Sequence, residues 1–139
     1  MNIPGPIAAL LRAPAFSVLA RVLLTLPYWW SGLAKLAHLK AALAEAAYFR
    51  LEPTGPAVAL MITVLVGGSL LLIAGAQAWL AAGALAAFTV ITSLIDPRFW
   101  AINDPLEPLQ TANAVLEHIG LIGGLVLAAA TLERGRRAP

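Results

Sequence analysis

Four runs of about 20 mostly apolar residues, at about 15–37, 56–75, 78–96 and 109–132, take up most of this chain. Wound as helices, runs of that length match the hydrocarbon thickness of a bilayer, where an exposed backbone amide finds no partner. The expected fold is therefore all-α, an integral membrane four-helix bundle in one domain spanning 1–139. Composition agrees, with 60% hydrophobic and 12% charged residues and a mean hydropathy of +0.85. A soluble chain carries about 25% charged residues.

The first run is the least uniform. In RVLLTLPYWWSGLAK, Arg21, Thr25, Tyr28, Gly32 and Lys35 recur at steps of four and three, so they share one helical face. A polar face in a membrane helix points to the interior of a bundle, where polar groups find partners. Pro27 lies within this helix and is expected to bend it beside Tyr28. Arg21, near one end, is read as a lipid or structural anchor whose stem reaches the headgroups. Tyr28 and Trp29 lie too deep for an interfacial belt and are candidates for the wall of an apolar cavity.

The following stretch favours a short interfacial helix that ends at Pro53, Gly55 and Pro56, with Tyr48 and Phe49 at headgroup depth. Its mixed charges, Lys40, Glu45, Arg50 and Glu52, read as a solvated face. The second run carries no charge, and Gly67, Gly68 and Gly75 mark a helix-packing seam. A turn of Gln77 to Trp79 makes spans two and three antiparallel neighbours. In span three, Ala82, Ala86, Thr89, Ser93 and Asp96 share a face. PRFWAINDPLEP then forms a surface loop with Phe99 and Trp100 at the interface. In span four, Asn113, Glu117, Gly120 and Gly124 share a face, with His118 beside it.

Antiparallel threading places Lys35, Asp96, Asn113, Glu117 and His118 in one half of the bundle and Arg21 in the other, near the level of Glu133. An ionisable group facing lipid costs about 2.5–3.5 kcal/mol even on the lenient insertion scale. Lys35 is therefore expected to meet Glu117 or Asp96, either as a structural ion pair that fixes register or as part of a ligand or proton site. Arg12, Arg134, Arg136 and Arg137 argue for both termini in the cytoplasm. The opening MNIPGPIAALLRAPAF lacks the plan of a cleaved signal, so the first helix is expected to stay as an anchor.

Several chemistries lose support. The chain has no cysteine, which removes disulfides, cysteine-ligated iron–sulfur clusters and thioether-attached haem, so a redox role needs a diffusible cofactor. With only His38 and His118, no metal site is expected. No nucleotide-cradling loop or catalytic triad is present, and a net charge of +2 gives no nucleic-acid surface.

Arg21 followed by WSGLAK, the interfacial helix ending in Gly-Pro, GGSLLLIAG in span two and HIGLIGGLVLAA in span four together resemble the DoxX family of small four-span membrane proteins. The resemblance implies the bundle fold and a link to quinone-coupled sulfur oxidation or to membrane complexes for oxidative-stress defence. Many members carry a glutamate about ten residues before the glycine matching Gly75; this chain has Leu65 there, and Glu117 is the nearest replacement. The resulting expectation is a bacterial inner-membrane protein, a non-catalytic or quinone-interacting subunit and not a stand-alone enzyme. Its interior polar site would comprise Tyr28, Trp29, Lys35, Asp96, Asn113, Glu117 and His118. Gly32, Gly67, Gly68, Gly120 and Gly124 are read as structural. The bilayer is one partner, and a redox protein or a second copy is another candidate. A structural partner without a ligand site is the alternative, and a small transporter is a third reading.

Overall fold

The computed structural model describes residues 3–96 and 107–139. It contains α1 (Gly5–Arg12), α2 (Pro14–Ala37), α3 (Leu39–Tyr48), α4 (Thr54–Ile62), α5 (Gly68–Ala74), α6 (Ala78–Ile95) and α7 (Glu107–Arg137), with a π-helical turn Thr63–Gly67 joining α4 to α5. Among the described residues there is no strand. Thr54–Ala74, Ala78–Ile95 and Ala112–Arg137 are each long and apolar enough to cross a membrane; α1 and α2, bent by 67°, make a fourth span when taken together. The loop expected at PRFWAINDPLEP, with Arg98, Phe99 and Trp100, lies almost wholly outside the described residues.

The break in the first span is not at Pro27. Helix α2 runs through that residue, and the sharp turn falls at Ala13, where the extended backbone before Pro14 separates α1 from α2. The polar face of α2 points inward: Thr25, Tyr28 and Gly32 are buried, with Arg21 and Lys35 half-buried at its two ends. A buried hydroxyl in a helix must give its proton to something, and the nearest acceptor is the carbonyl one turn back. Thr25, Ser69, Thr89, Thr92 and Ser93 all do this, at 2.6 to 2.8 Å.

Tyr28, Leu65, Leu72, Leu85 and Leu125 form the core with Ala78, Ala81 and Ala82 of α6. Close approach at Gly32, Gly68 and Gly124 lets the helices meet, because a Cβ there would lie 2.6 Å from Val66, 3.1 Å from Leu85 and 2.9 Å from Leu24. Gly67 and Gly120, expected to share this role, have nothing within 4 Å of an added Cβ.

Gly75 does different work from a seam. At φ +77° it is the left-handed residue that ends α5; its own N–H donates to Leu72 O and that of Ala76 to Leu71 O. Arg21 joins this cap, Nη1 donating to Leu72 O at 3.1 Å and Nε to Ser17 O at 3.3 Å. Its charge thereby meets the negative end of α5, and the guanidinium is held in the bundle instead of reaching up as an anchor alone.

A second apolar cluster fixes the connection between the first two spans. Ala42 and Ala46 of α3 pack against Val58 of α4, with Leu51, Met61 and Ile62 around them. The alanines bring α3 close to the bundle and fix which face of α3 turns toward α4.

Candidate functional site: a polar cavity at one end of the bundle

Where α2 and α6 end and α4 begins, a cavity of about 200 Å³ opens. Its polar walls are Ser31 and Lys35 from α2, Glu45 from α3, Thr92 and Asp96 at the end of α6, and His118 from α7; Phe49, Leu51, Met61, Phe88 and Ile95 supply the apolar ones. Lys35 Nζ donates to Glu45 Oε2 at 2.5 Å, with the lysine side chain 12% exposed and the carboxylate 46% exposed. The cation is thus held inside while its partner looks toward the surface. Asp96, at the end of α6, is buried.

His118 is oriented from α6. Ser93 Oγ lies 2.7 Å from Thr89 O and 2.6 Å from His118 Nδ1. A carbonyl can only accept, so the single hydroxyl proton goes to Thr89 and Nδ1–H of His118 donates to Ser93.

Lys35, Asp96 and His118 therefore line one cavity, in keeping with the antiparallel threading, while Arg21 stands at the opposite end beside Ser17, Thr131 and Leu132. Four expected members are elsewhere. Tyr28 is buried in the core, its hydroxyl 2.7 Å from Thr89 Oγ1; Thr89 gives its own proton to Leu85 O, so the phenol is the donor. Trp29 Nε1 donates to Val22 O within its own helix. Asn113 and Glu117 are exposed on α7 and do not line the cavity. His118 meets Ser93 two residues before the end of α6, so Glu117 lies at the level where that span finishes and can meet headgroups instead of a buried cation. Lys35 takes Glu45 as its partner in place of Glu117 or Asp96. Glu45, read as part of a solvated face, is a cavity residue that the periodicity does not reveal. Its only sequence signal was a carboxylate ten residues after Lys35, on a helix whose orientation was not yet fixed.

Among the described residues no group of three His, Cys, Asp or Glu side chains is placed to hold a metal ion. The cavity's resources are a cation, two carboxylates, an imidazole and two phenyl rings.

Comparison with known proteins adds one decisive match, the DoxX family model over residues 16–96, more than half of the chain. The chain belongs to the DoxX family. No curated protein and no solved structure matches it. The DoxX match begins two residues into α2 and ends on Asp96, so it contains Lys35, Glu45 and Asp96 but not His118. Leu65, where many DoxX proteins carry a glutamate, lies in the π-helical turn and is buried against Gly32 in the core. Glu117 does not replace that carboxylate, because its side chain points out of the bundle.

Proposed function

We propose that this DoxX protein is a quinone-interacting subunit of a membrane redox or oxidative-stress complex, and that the Lys35–Asp96–His118 cavity receives the quinone ring. The observation that carries this reading is the set of ionisable and hydroxyl groups converging on one pocket at one end of a largely apolar bundle. A dry cavity of about 150 Å³ accommodates benzene, and the volume here is about 200 Å³, room for one substituted ring. Lys35 would donate to a ring carbonyl, Glu45 or Asp96 would accept from the hydroxyl of the reduced form, and Phe49 and Phe88 would flank the ring. Arg12, Arg134, Arg136 and Arg137 lie toward the opposite end, a bias that supports a bacterial inner-membrane topology with both termini in the cytoplasm. Titrating the purified chain in lipid nanodiscs with ubiquinone and menaquinone analogues should give saturable binding with one ring per chain. Uptake that only rises linearly with lipid would rule the reading out.

A second reading, a structural partner for another membrane subunit, draws on α7. Gly120 and Gly123 have open space around them, and Leu116, Ile119 and Leu127 are exposed beside them. Small residues on such a face allow another helix to come close. Purification from native membrane in mild detergent should then recover a stoichiometric protein partner and no quinone.

A further inference from the structure

The polar cavity shares one wall with a second space. Leu51, Met61, Phe88, Thr92 and Ile95 line it on one side and on the other line an apolar groove of about 350 Å³ between α4 and α6. Ala84 and Ala87 widen this groove, and Leu60 and Ile91, 65% and 56% exposed, stand beside it on the outward surface. Apart from Thr92, every residue lining the groove is apolar, and the Thr92 hydroxyl is spent on the carbonyls of Phe88 and Thr89. The described lining of the groove therefore offers a ligand hydrocarbon contact and no side-chain donor.

We propose that this groove holds the aliphatic tail of the molecule whose ring occupies the polar cavity, and that the ligand enters sideways from the bilayer between spans two and three. The inference rests on the quinone-ring reading and adds a tail subsite to it. Adjacency decides the occupant: one set of five residues forms both the cavity's apolar side and the groove's inner end, so a chain leaving the ring needs only to pass between these side chains to reach the groove. A partner helix packed over the groove would insert its side chains there but would leave the polar cavity unfilled. A bulk lipid chain would fit the groove but would leave the polar cavity unfilled. An unbranched or isoprenoid tail attached to a hydrogen-bonding ring satisfies both halves together.

The test uses the full chain in phosphatidylcholine nanodiscs, with a tailless dimethoxy-methyl-benzoquinone and its decyl derivative as probes. Ala87→Phe fills the groove at a position that does not line the polar cavity. Val126→Phe adds the same bulk to an exposed site on α7. Ala87→Phe should weaken the decyl compound about tenfold or more while leaving the tailless ring unchanged, because it removes only apolar burial along the tail. Val126→Phe should change neither. If wild type binds both probes and Ala87→Phe weakens neither, or weakens both alike, the tail subsite is overturned and the ring reading stands. If wild type binds neither probe, the ring reading fails and takes the tail subsite with it.

Discussion

Replacing Gly32 with leucine should prevent the bundle from closing normally. A Cβ at this position would lie 2.6 Å from Val66 Cγ2, 3.1 Å from Leu65 Cβ and 3.4 Å from the backbone N of Val66. The valine methyl can turn aside, but Leu65 is fully packed in the core and the backbone of the π-helical turn cannot retreat without separating α2 from span two. Overpacking of this kind costs about 1–3 kcal/mol when neighbours relax and more when they do not. The variant should therefore show a clearly lower unfolding midpoint by circular dichroism in detergent, or elute as aggregate. Gly67→Ala is the matched control. It lies in the same glycine-rich segment, yet its added Cβ meets nothing within 4 Å, so its midpoint should stay close to wild type.

Lys35→Met should separate binding from stability. Methionine keeps most of the lysine's length and apolar stem but removes the donor facing the cavity. Losing one charge-assisted hydrogen bond to a ring carbonyl should weaken quinone binding about tenfold or more, on the order of 1.4 kcal/mol. Stability should fall by less than about 1 kcal/mol, since Glu45 can turn its carboxylate toward water once unpaired. That latitude follows from the 46% exposure of the Glu45 side chain against 12% for Lys35. If the pair only fixes helix register, the result is reversed, with the unfolding midpoint dropping and binding unaffected. Measuring both quantities on the same preparation distinguishes the two roles.

Much of this arrangement was legible in the spacing of a few residues. The steps from Arg21 to Lys35 define the face of α2 that is buried, and those from Ala82 to Asp96 follow the buried side of α6. Helical periodicity reads such faces because every residue's direction follows from its number once the segment is helical. Glu45 was not legible for the same reason: α3 is separate from α2, and its rotation is fixed by Ala42 and Ala46 settling against Val58, a long-range contact with no periodic signature.

Glu117 shows the converse failure. It shares a helical face with Gly124, and Gly124 does pack against Leu24 of α2. Seven residues earlier, however, α7 is held against α6 through His118 and Ser93, so the same face no longer looks onto a neighbour. A common face implies a common environment only while the neighbouring helix stays alongside. The polar atoms of Tyr28 and Trp29 find acceptors inside the bundle, which leaves neither free for a cavity. Gly75 reads as a packing glycine in sequence and serves as a helix cap, because left-handed backbone leaves no mark on hydrophobic periodicity.

Photocrosslinking tests the location of the ring most directly. A quinone with a photoreactive group on its ring, irradiated with the full chain in nanodiscs and mapped by peptide mass spectrometry, should label the segment from Phe49 to Met61 and the stretch of α6 around Phe88 and Thr92. An excess of tailless quinone should suppress that labelling. Labelling concentrated at the opposite end, on Ala20, Leu24 or Leu132 beside Arg21, or spread evenly over the exposed leucines, would contradict the account.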